Sequence, residues 1–355
     1  MTAPSMTQTI AGVTVGIDTH AEVHVAAAFD QLGRPLDHLE IPTTPAGYRQ
    51  LLMWARGLGP VVAFGVEGTG SYGIGLARYL VGAGCQVVEI NRPNRQTRRR
   101  RGKSDPIDAE AAARAVLAGE ARGIAKADTE TVGMVRALRV ARRSAIKARS
   151  QAANQVQGIL VCAPAALREE LRQLSLAQLV QHAAAFRPGP VTNATAANKL
   201  ALRSLATRYQ ALTDELAILD AELHRLTKAA APALSSLKGV GPDVAGALLV
   251  AAGDNPERLR SEASFASLCG AAPIPASSGK TTRHRLNRGG DRIANNALWR
   301  IVMVRLASDE PTQNYMARRT QEGRSKREII RCLKRYVARE VYRALLTPAT
   351  VALAA

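Results

Sequence analysis

Two kinds of hydrophobic spacing divide this chain, and the switch between them near residue 126 constrains its fold more than any other feature. From Val13 the stretch VTVGID alternates Val13, Val15 and Ile17, and EVHVAAAF alternates Val23, Val25 and Ala27. Alternation of period two predicts two short strands paired as a hairpin. A third strand near 37–42, a helix near 45–57, the buried apolar strand VVAFGVE, a helix near 72–82, the strand CQVVEI and a helix near 106–118 follow. Strands alternating with helices predict an α/β domain whose sheet is antiparallel in its first half and parallel in its later strands.

Beyond about 126 only helical spacing remains. Residues 133–160 read as a long Ala/Arg-rich helix, and Leu202, Leu205, Tyr209, Leu212, Leu216, Leu219, Leu223 and Leu226 step alternately by three and four. That heptad seam fits an intramolecular antiparallel hairpin with the 133–160 helix and a dimerising coiled coil equally well, and in both it is an arm or spacer. FRPGPVTNAT, from Phe186, reads as the turn between the two helices. After Pro232, LKGVGPDVAGALLVAAG fits either a helix-hairpin-helix, whose second helix can hold a phosphate on its first N–H groups, or a plain helical turn. The stretch from about 291 to 346 is helical and basic. The expected organisation is a disordered tail at 1–10, an α/β domain at 11–125, a helical region at 126–231 and a mostly helical C-terminal domain at 232–355.

Charge points to the partner. Lys and Arg number 48 against 29 Asp and Glu, a net charge of +19 with pI near 10.6. So basic a chain is expected to meet a polyanion. Aromatic residues make up only 4%, so phosphate contacts rather than base stacking should dominate. No apolar run of about 18 residues and no signal pattern appear, which predicts a cytosolic protein without a membrane partner. Cys85, Cys162, Cys269 and Cys332 lack C-x-x-C pairing, against both a zinc site and a disulfide framework.

Carboxylates gather where an α/β sheet places its chemistry. Asp18 closes the first strand and Glu67 closes VVAFGVE, and strand ends are where ligands bind in open α/β sheets. KSDPIDAEAAARA adds Asp105 and Asp108 at a helix start, where Asp at N-cap, Pro at N1 and Asp at N3 would equally serve as caps. Together the four can converge on one or two Mg²⁺ ions, because hard divalent cations take oxygen ligands. Just before that helix NRPNRQTRRRRGKSD carries six arginines and a lysine, among them Arg98, Arg99, Arg100, Arg101 and Lys103, a setting suited to phosphodiester backbone.

A second basic segment, APIPASSGKTTRHRLNRGGD at 272–291, surrounds Ser277 and Ser278 with Lys280, Arg283, Arg285 and Arg288. Gly279-Lys280-Thr281 ends like a phosphate-binding P-loop, but the first glycine of that motif would fall on Ile274, so the P-loop is excluded. His284 is expected to face phosphate or solvent.

VGIDTH, GVEGTGSYG, KSDPIDAEAAARA and the serine segment, in this order, resemble the DEDD transposases of the insertion-sequence one-ten family, relatives of the pilin-gene invertases associated with bridge-RNA-guided recombination. The resemblance runs from about 13 to 346. It implies an N-terminal domain similar to the RuvC resolvase with a ribonuclease H-like fold, a coiled-coil arm and a C-terminal transposase domain with a nucleophilic serine. By motif position Asp18, Glu67, Asp105 and Asp108 would be the metal-binding tetrad for Mg²⁺ and Glu110 a helix-surface residue. Ser278 would be the nucleophile, with Ser277 as the alternative. The resemblance further implies donor and target DNA as substrates, a guide RNA, dimers assembling into a tetramer with serine and carboxylates from different protomers, and a bacterial, nucleoid-associated location. A covalent phosphoserine would keep the phosphodiester energy for rejoining. A metal-dependent junction nuclease using water, and an architectural nucleic-acid-binding protein, are the competing functions.

Overall fold

The computed structural model describes residues 12–90, 104–121, 123–125, 131–279 and 284–347. The expected tail at 1–10, Arg98, Arg99, Arg100, Arg101, Lys103, Lys280 and Arg283 lie outside the described residues. The chain forms two compact units, one of residues 1–129 with 253–260, the other of 130–252 with 261–355.

In the first unit β1 (Val13–Thr19), β2 (Val23–Asp30), β3 (Pro35–Pro42), β4 (Val61–Glu67), β5 (Val87–Ile90) and β6 (Gly123–Ile124) make one sheet in the order β3-β2-β1-β4-β5-β6. β2 lies antiparallel to both β1 and β3, while β1–β4 and β4–β5 are parallel, as the spacing predicts. The two-residue β6, which adds an antiparallel edge, carries too short a pattern to register in the sequence.

The sheet is covered on both faces. Helix α1 (Pro45–Leu58) starts at Thr44, whose hydroxyl accepts from the Gly47 amide at 3.2 Å, with Pro45 in the first turn. Its Leu51, Leu52 and Ala55, with Leu76, Ala77 and Leu80 of α2 (Ile74–Gly82), bury Val15, Ile17, Phe64 and Val66. Alternation sends the intervening residues to the other face. There α3 (Asp105–Leu117) packs Ala109 and Ala113 on Val25, Ala27 and Phe29, and Ala112 on Ala63, Val88 and Ile90.

The approach of α3 is set by two glycines paired across β1 and β4, Gly16 and Gly65. A Cβ on Gly16 would lie 2.1 Å from the Ala109 carbonyl oxygen and 2.2 Å from the Ala113 amide nitrogen; one on Gly65 would meet Val116 at 2.7 Å. Only a bare sheet backbone opposite an alanine-rich helix allows such contact.

The second unit is mainly helical. α4 (Thr131–Cys162) and α7 (Ala194–Ala230) run antiparallel, since Val135 clusters with Leu223 and Leu226 while Val156 clusters with Leu202 and Ala206. Leu202, Leu216, Leu223 and Leu226 of the heptad seam are buried, and Leu205, Tyr209, Leu212 and Leu219 half-buried. At those four buried leucines the seam is therefore covered within the chain. Two helices not foreseen between them, α5 (Ala165–Leu171) and α6 (Leu176–Ala184), interrupt the expected simple hairpin; α6 begins with a capping box of Ser175 and Gln178. Their Leu167, Leu171 and Leu179 fill the open end of the α4–α7 pair, next to Phe186.

α8 (Pro232–Ser235) is a single turn, followed by a bend at Gly239 (φ +85°) and the apolar α9 (Pro242–Ala252). Then come α10 (Glu262–Leu268), a two-stranded ribbon of β7 (Ile274–Pro275) and β8 (His284–Arg285), and three helices: α11 (Arg292–Ser308), α12 (Glu310–Gln321) and α13 (Lys326–Leu346). α9 packs against α4, α7 and α11, which makes one body of the helices on either side of it.

Candidate active site

β1 and β4 are parallel neighbours, so their C-terminal ends lie side by side, and these ends carry Asp18 and Glu67. Each follows its glycine, Gly16 or Gly65, by two residues, and both carboxylates therefore belong to the face that α3 covers. Close seating of α3 brings its first turn to Asp18. The Thr19 hydroxyl donates to the Glu67 carbonyl at 2.9 Å, tying the two strand ends together. Beyond Glu67 the chain turns at Gly68, in the left-handed region at φ +65°.

Asp105 and Asp108 do not cap α3. Ser104 occupies the N-cap, with no side-chain cap bond, and Asp105 is the first helical residue. The capping alternative is thus not the one realised: Asp108 is buried at 2% exposure and Asp105 lies against His20, just beyond β1. His20 Nε2 lies 3.1 Å from Asp18 Oδ2 and 3.3 Å from Asp105 Oδ1. One ligand atom from each of Asp18, His20 and Asp105 lies within 4.8 Å of the others. His20 belongs to the VGIDTH motif, whose local pattern assigns it no role; only folding shows that it reaches both acids.

Electrostatics match this crowding. Burial, the largest cause, together with the nearby Asp108 and Asp105 charges, pushes the Asp18 carboxyl above its ordinary value, against the opposing effect of His20. Carboxylates forced together out of water favour either a proton or a cation. The donor set of carboxylate oxygens with one imidazole suits a divalent cation.

Other acids nearby have different partners. Glu110 lies on the α3 surface with its Oε1 3.4 Å from His38 Nε2. Glu89, next to Val88 and Ile90 on β5, accepts from the Thr69 hydroxyl at 2.9 Å and faces Arg258 at 3.4 Å. Residue 258 belongs to the short 253–260 segment of the first unit, where Asn255 also donates to the Ala125 carbonyl at 3.1 Å.

In the second unit the ribbon pairs Ile274 with Arg285 and Pro275 with His284, so that Ser277 and Ser278 lie between its strands in the sequence. Both serines are exposed, as are His284, Arg285 and Arg288. Gly279, with φ +56° and open space around it, follows the serines. The ribbon is braced from below: Asn287 donates to the Ser267 carbonyl at 3.2 Å and Asn295 to the Cys269 carbonyl at 2.7 Å. Gly290 sits against Gly270, where a Cβ would meet the backbone nitrogen at 2.2 Å.

Known proteins match both halves. Residues 15–163 fit the IS110-type DEDD transposase family, and residues 231–317 fit the family described as transposase, IS116/IS110/IS902. An uncharacterized 43.6 kDa protein of insertion element IS110 from Streptomyces coelicolor is 30% identical over 125 residues, which cover 34% of this chain and 31% of that protein. The match thus spans about a third of the curated relative's length.

Proposed function

Because the chain belongs to the IS110 family of DEDD transposases, we propose that it cuts and rejoins DNA strands through a covalent phosphoserine, with Ser278 as nucleophile and Mg²⁺ held by Asp18, Glu67, Asp105 and Asp108. The observation that carries this reading is the clustering of Asp18 and Asp105 around His20, with the buried Asp108 close enough for its charge to act on Asp18. Basic charge alone would explain nucleic-acid binding; it gives no reason to crowd buried acids at a strand end.

The residues then divide the work. Asp18, Glu67, Asp105 and Asp108 would hold a divalent cation, which would offset their repulsion and supply polarisation of phosphoryl oxygens. Thr19 and the α3 seating hold the acidic side chains in place. Ser278 Oγ forms a bond to phosphorus as the phosphodiester P–O bond breaks, its proton leaves, and the departing strand end takes a proton. Reversal with a different strand end gives exchange without ATP. Arg285 and Arg288 stabilise negative charge at the phosphoryl oxygens, a role shared in this reading by Lys280 and Arg283 and, for the incoming backbone, by Arg98, Arg99, Arg100, Arg101 and Lys103. Ser277 is the alternative nucleophile.

Donor and target DNA, a guide RNA and assembly into dimers or tetramers complete the reading, and the net charge of +19 supports polyanionic partners. No helix among the described residues is long and apolar enough to cross a membrane, and the location in this reading is the bacterial nucleoid. The deciding experiment is trapping of a denaturation-resistant protein–DNA adduct with Mg²⁺ and element-end DNA. The adduct should vanish in Ser278→Ala and persist in Ser277→Ala. Full cutting by Ser278→Ala without any adduct would instead establish the water-using junction nuclease.

A further inference from the structure

Beside the serine ribbon lies an open cavity of about 850 Å³, bounded by the Gly270–Pro273 segment, β8, α12 and α13. Its wall is strongly basic: Arg285, Arg319, Arg324, Arg331, Lys334, Arg335 and Arg339 line it, with Glu328 the one acidic lining residue among those described. Solvated surface arginines would account for part of this charge, but not for the inner donors. Lys334 is only 7% exposed, and its ammonium donates to a neutral amide, Asn295 Oδ1 at 2.9 Å. Arg319 Nε and Arg335 Nη1 are buried with no hydrogen-bond partner among the described residues. Their other nitrogens are used, Arg319 by Glu322 and Arg335 by Glu262, whose Oε1 is 3.0 Å away and also serves Arg339. A buried cation paired only with a neutral group, beside buried guanidinium N–H groups without acceptors, is a site short of negative charge.

We propose that this cavity holds backbone phosphates of the DNA strand that runs to the serine ribbon, with Lys334, Arg319 and Arg335 as its inner donors. The inference rests on the transposase reading for the identity of the strand, and on the cavity alone for its anionic chemistry. DNA is favoured over other phosphates because β8 contributes His284 and Arg285 to the cavity wall and also forms one side of the ribbon. A strand seated there passes the serines. Among the described residues two aromatic rings, those of Tyr336 and His284, line the cavity against seven Lys and Arg side chains, so it grips backbone more than it stacks bases.

The test is fluorescence anisotropy of the full-length protein with a labelled DNA duplex, across a salt series, using Lys334→Met, Arg319→Gln and Arg331→Gln. Arg327→Gln removes the same charge from an exposed α13 position that does not line the cavity. Each cavity variant should weaken binding by about ten- to hundredfold and lower the salt slope by about one phosphate equivalent, with Arg327→Gln clearly milder. Arg331 is exposed, so its variant keeps the fold if Lys334→Met does not. Equal losses for Arg331→Gln and Arg327→Gln would overturn the site. So would cavity-dependent binding of inorganic phosphate or of an RNA duplex with DNA affinity unchanged, which would reassign it. Adduct formation is scored separately: cavity-dependent DNA binding without any serine adduct removes the recombination chemistry and leaves the cavity standing. Normal adducts and normal binding in all variants do the reverse.

Discussion

The backbone of Gly16 lies so close to α3 that any side chain there would fall 2.1 Å from the carbonyl oxygen of Ala109. This contact sets the depth at which α3 sits on the sheet. Depth in turn sets whether Asp105 and Asp108, in the first turn, reach Asp18.

Gly16→Ala should therefore disable the carboxylate cluster from a distance. The new methyl must push α3 outward, at a cost of about 1–3 kcal/mol or more for overpacking, and Mg²⁺-dependent cutting should drop with it. Gly57→Ala, in the exposed end of α1 with nothing within 4 Å, should be neutral or stabilising by up to about 1 kcal/mol. Urea unfolding of both variants, alongside a cleavage assay, checks the contrast.

Asp18→Asn should stabilise the metal-free protein while abolishing its response to Mg²⁺. Burial and neighbouring acids raise the Asp18 carboxyl, so the ionised form is a burden on the fold. A saturating cation would add about 2.7 kcal/mol at a hundredfold excess over its Kd. Thermal melts with EDTA and with Mg²⁺ should show a rise for wild type and none for Asp18→Asn; a retained Mg²⁺ shift would remove Asp18 from the ligand set.

Asp243 should make the second unit acid-sensitive. Burial works to raise its carboxyl, but the Arg300 hydrogen bond and the charges of Arg139, Arg142 and Arg300 outweigh it, and the net shift is downward from 3.8. A depressed acid contributes stability that is present above the unfolded value and is lost as pH falls through the folded one. Unfolding measured from about pH 5 downward, where the unfolded chain's aspartate begins to take up protons while the folded one stays ionised, should show the loss in wild type. Asp243→Asn should be weaker by about 3–5 kcal/mol at pH 7, because it leaves the arginines of α4 and α11 without their shared partner.

Leu223→Ala should cost about 2–5 kcal/mol, since its fully buried side chain fills the α4–α7 contact beside Val135. Because the seam at Leu223 is covered within the chain, the mass measured by light scattering should stay at the wild-type value. A shift towards monomer would mean that the seam joins two chains instead.

Much of the first unit was legible in the sequence because its signals are local. Period-two runs marked β1 and β2 and the continuous apolar run VVAFGVE marked β4 almost to the residue, and the acids at the ends of β1 and β4 stood out as charges closing apolar strands. Helix α3 was placed within a residue, although its cap was not: Ser104 rather than Asp105 takes the N-cap, a difference of one position that helix starts readily hide. α5 and α6 were missed because nine residues or fewer of apolar spacing look like loop until a neighbouring helix pair offers a groove to fill.

By itself the sequence determined the order of elements, the heptad spacing, the strand-end acids and the positive charge, all of which depend on residues near one another in the chain. Tertiary structure decided which partners those features have. Whether the α7 seam faces α4, whether His20 stands between Asp18 and Asp105, and whether Lys334 is buried beside the serine ribbon all turn on contacts between residues far apart in the chain. Such contacts are selected by the packing of whole faces, where a missing side chain such as that of Gly16 counts as much as a present one, and no local pattern records them.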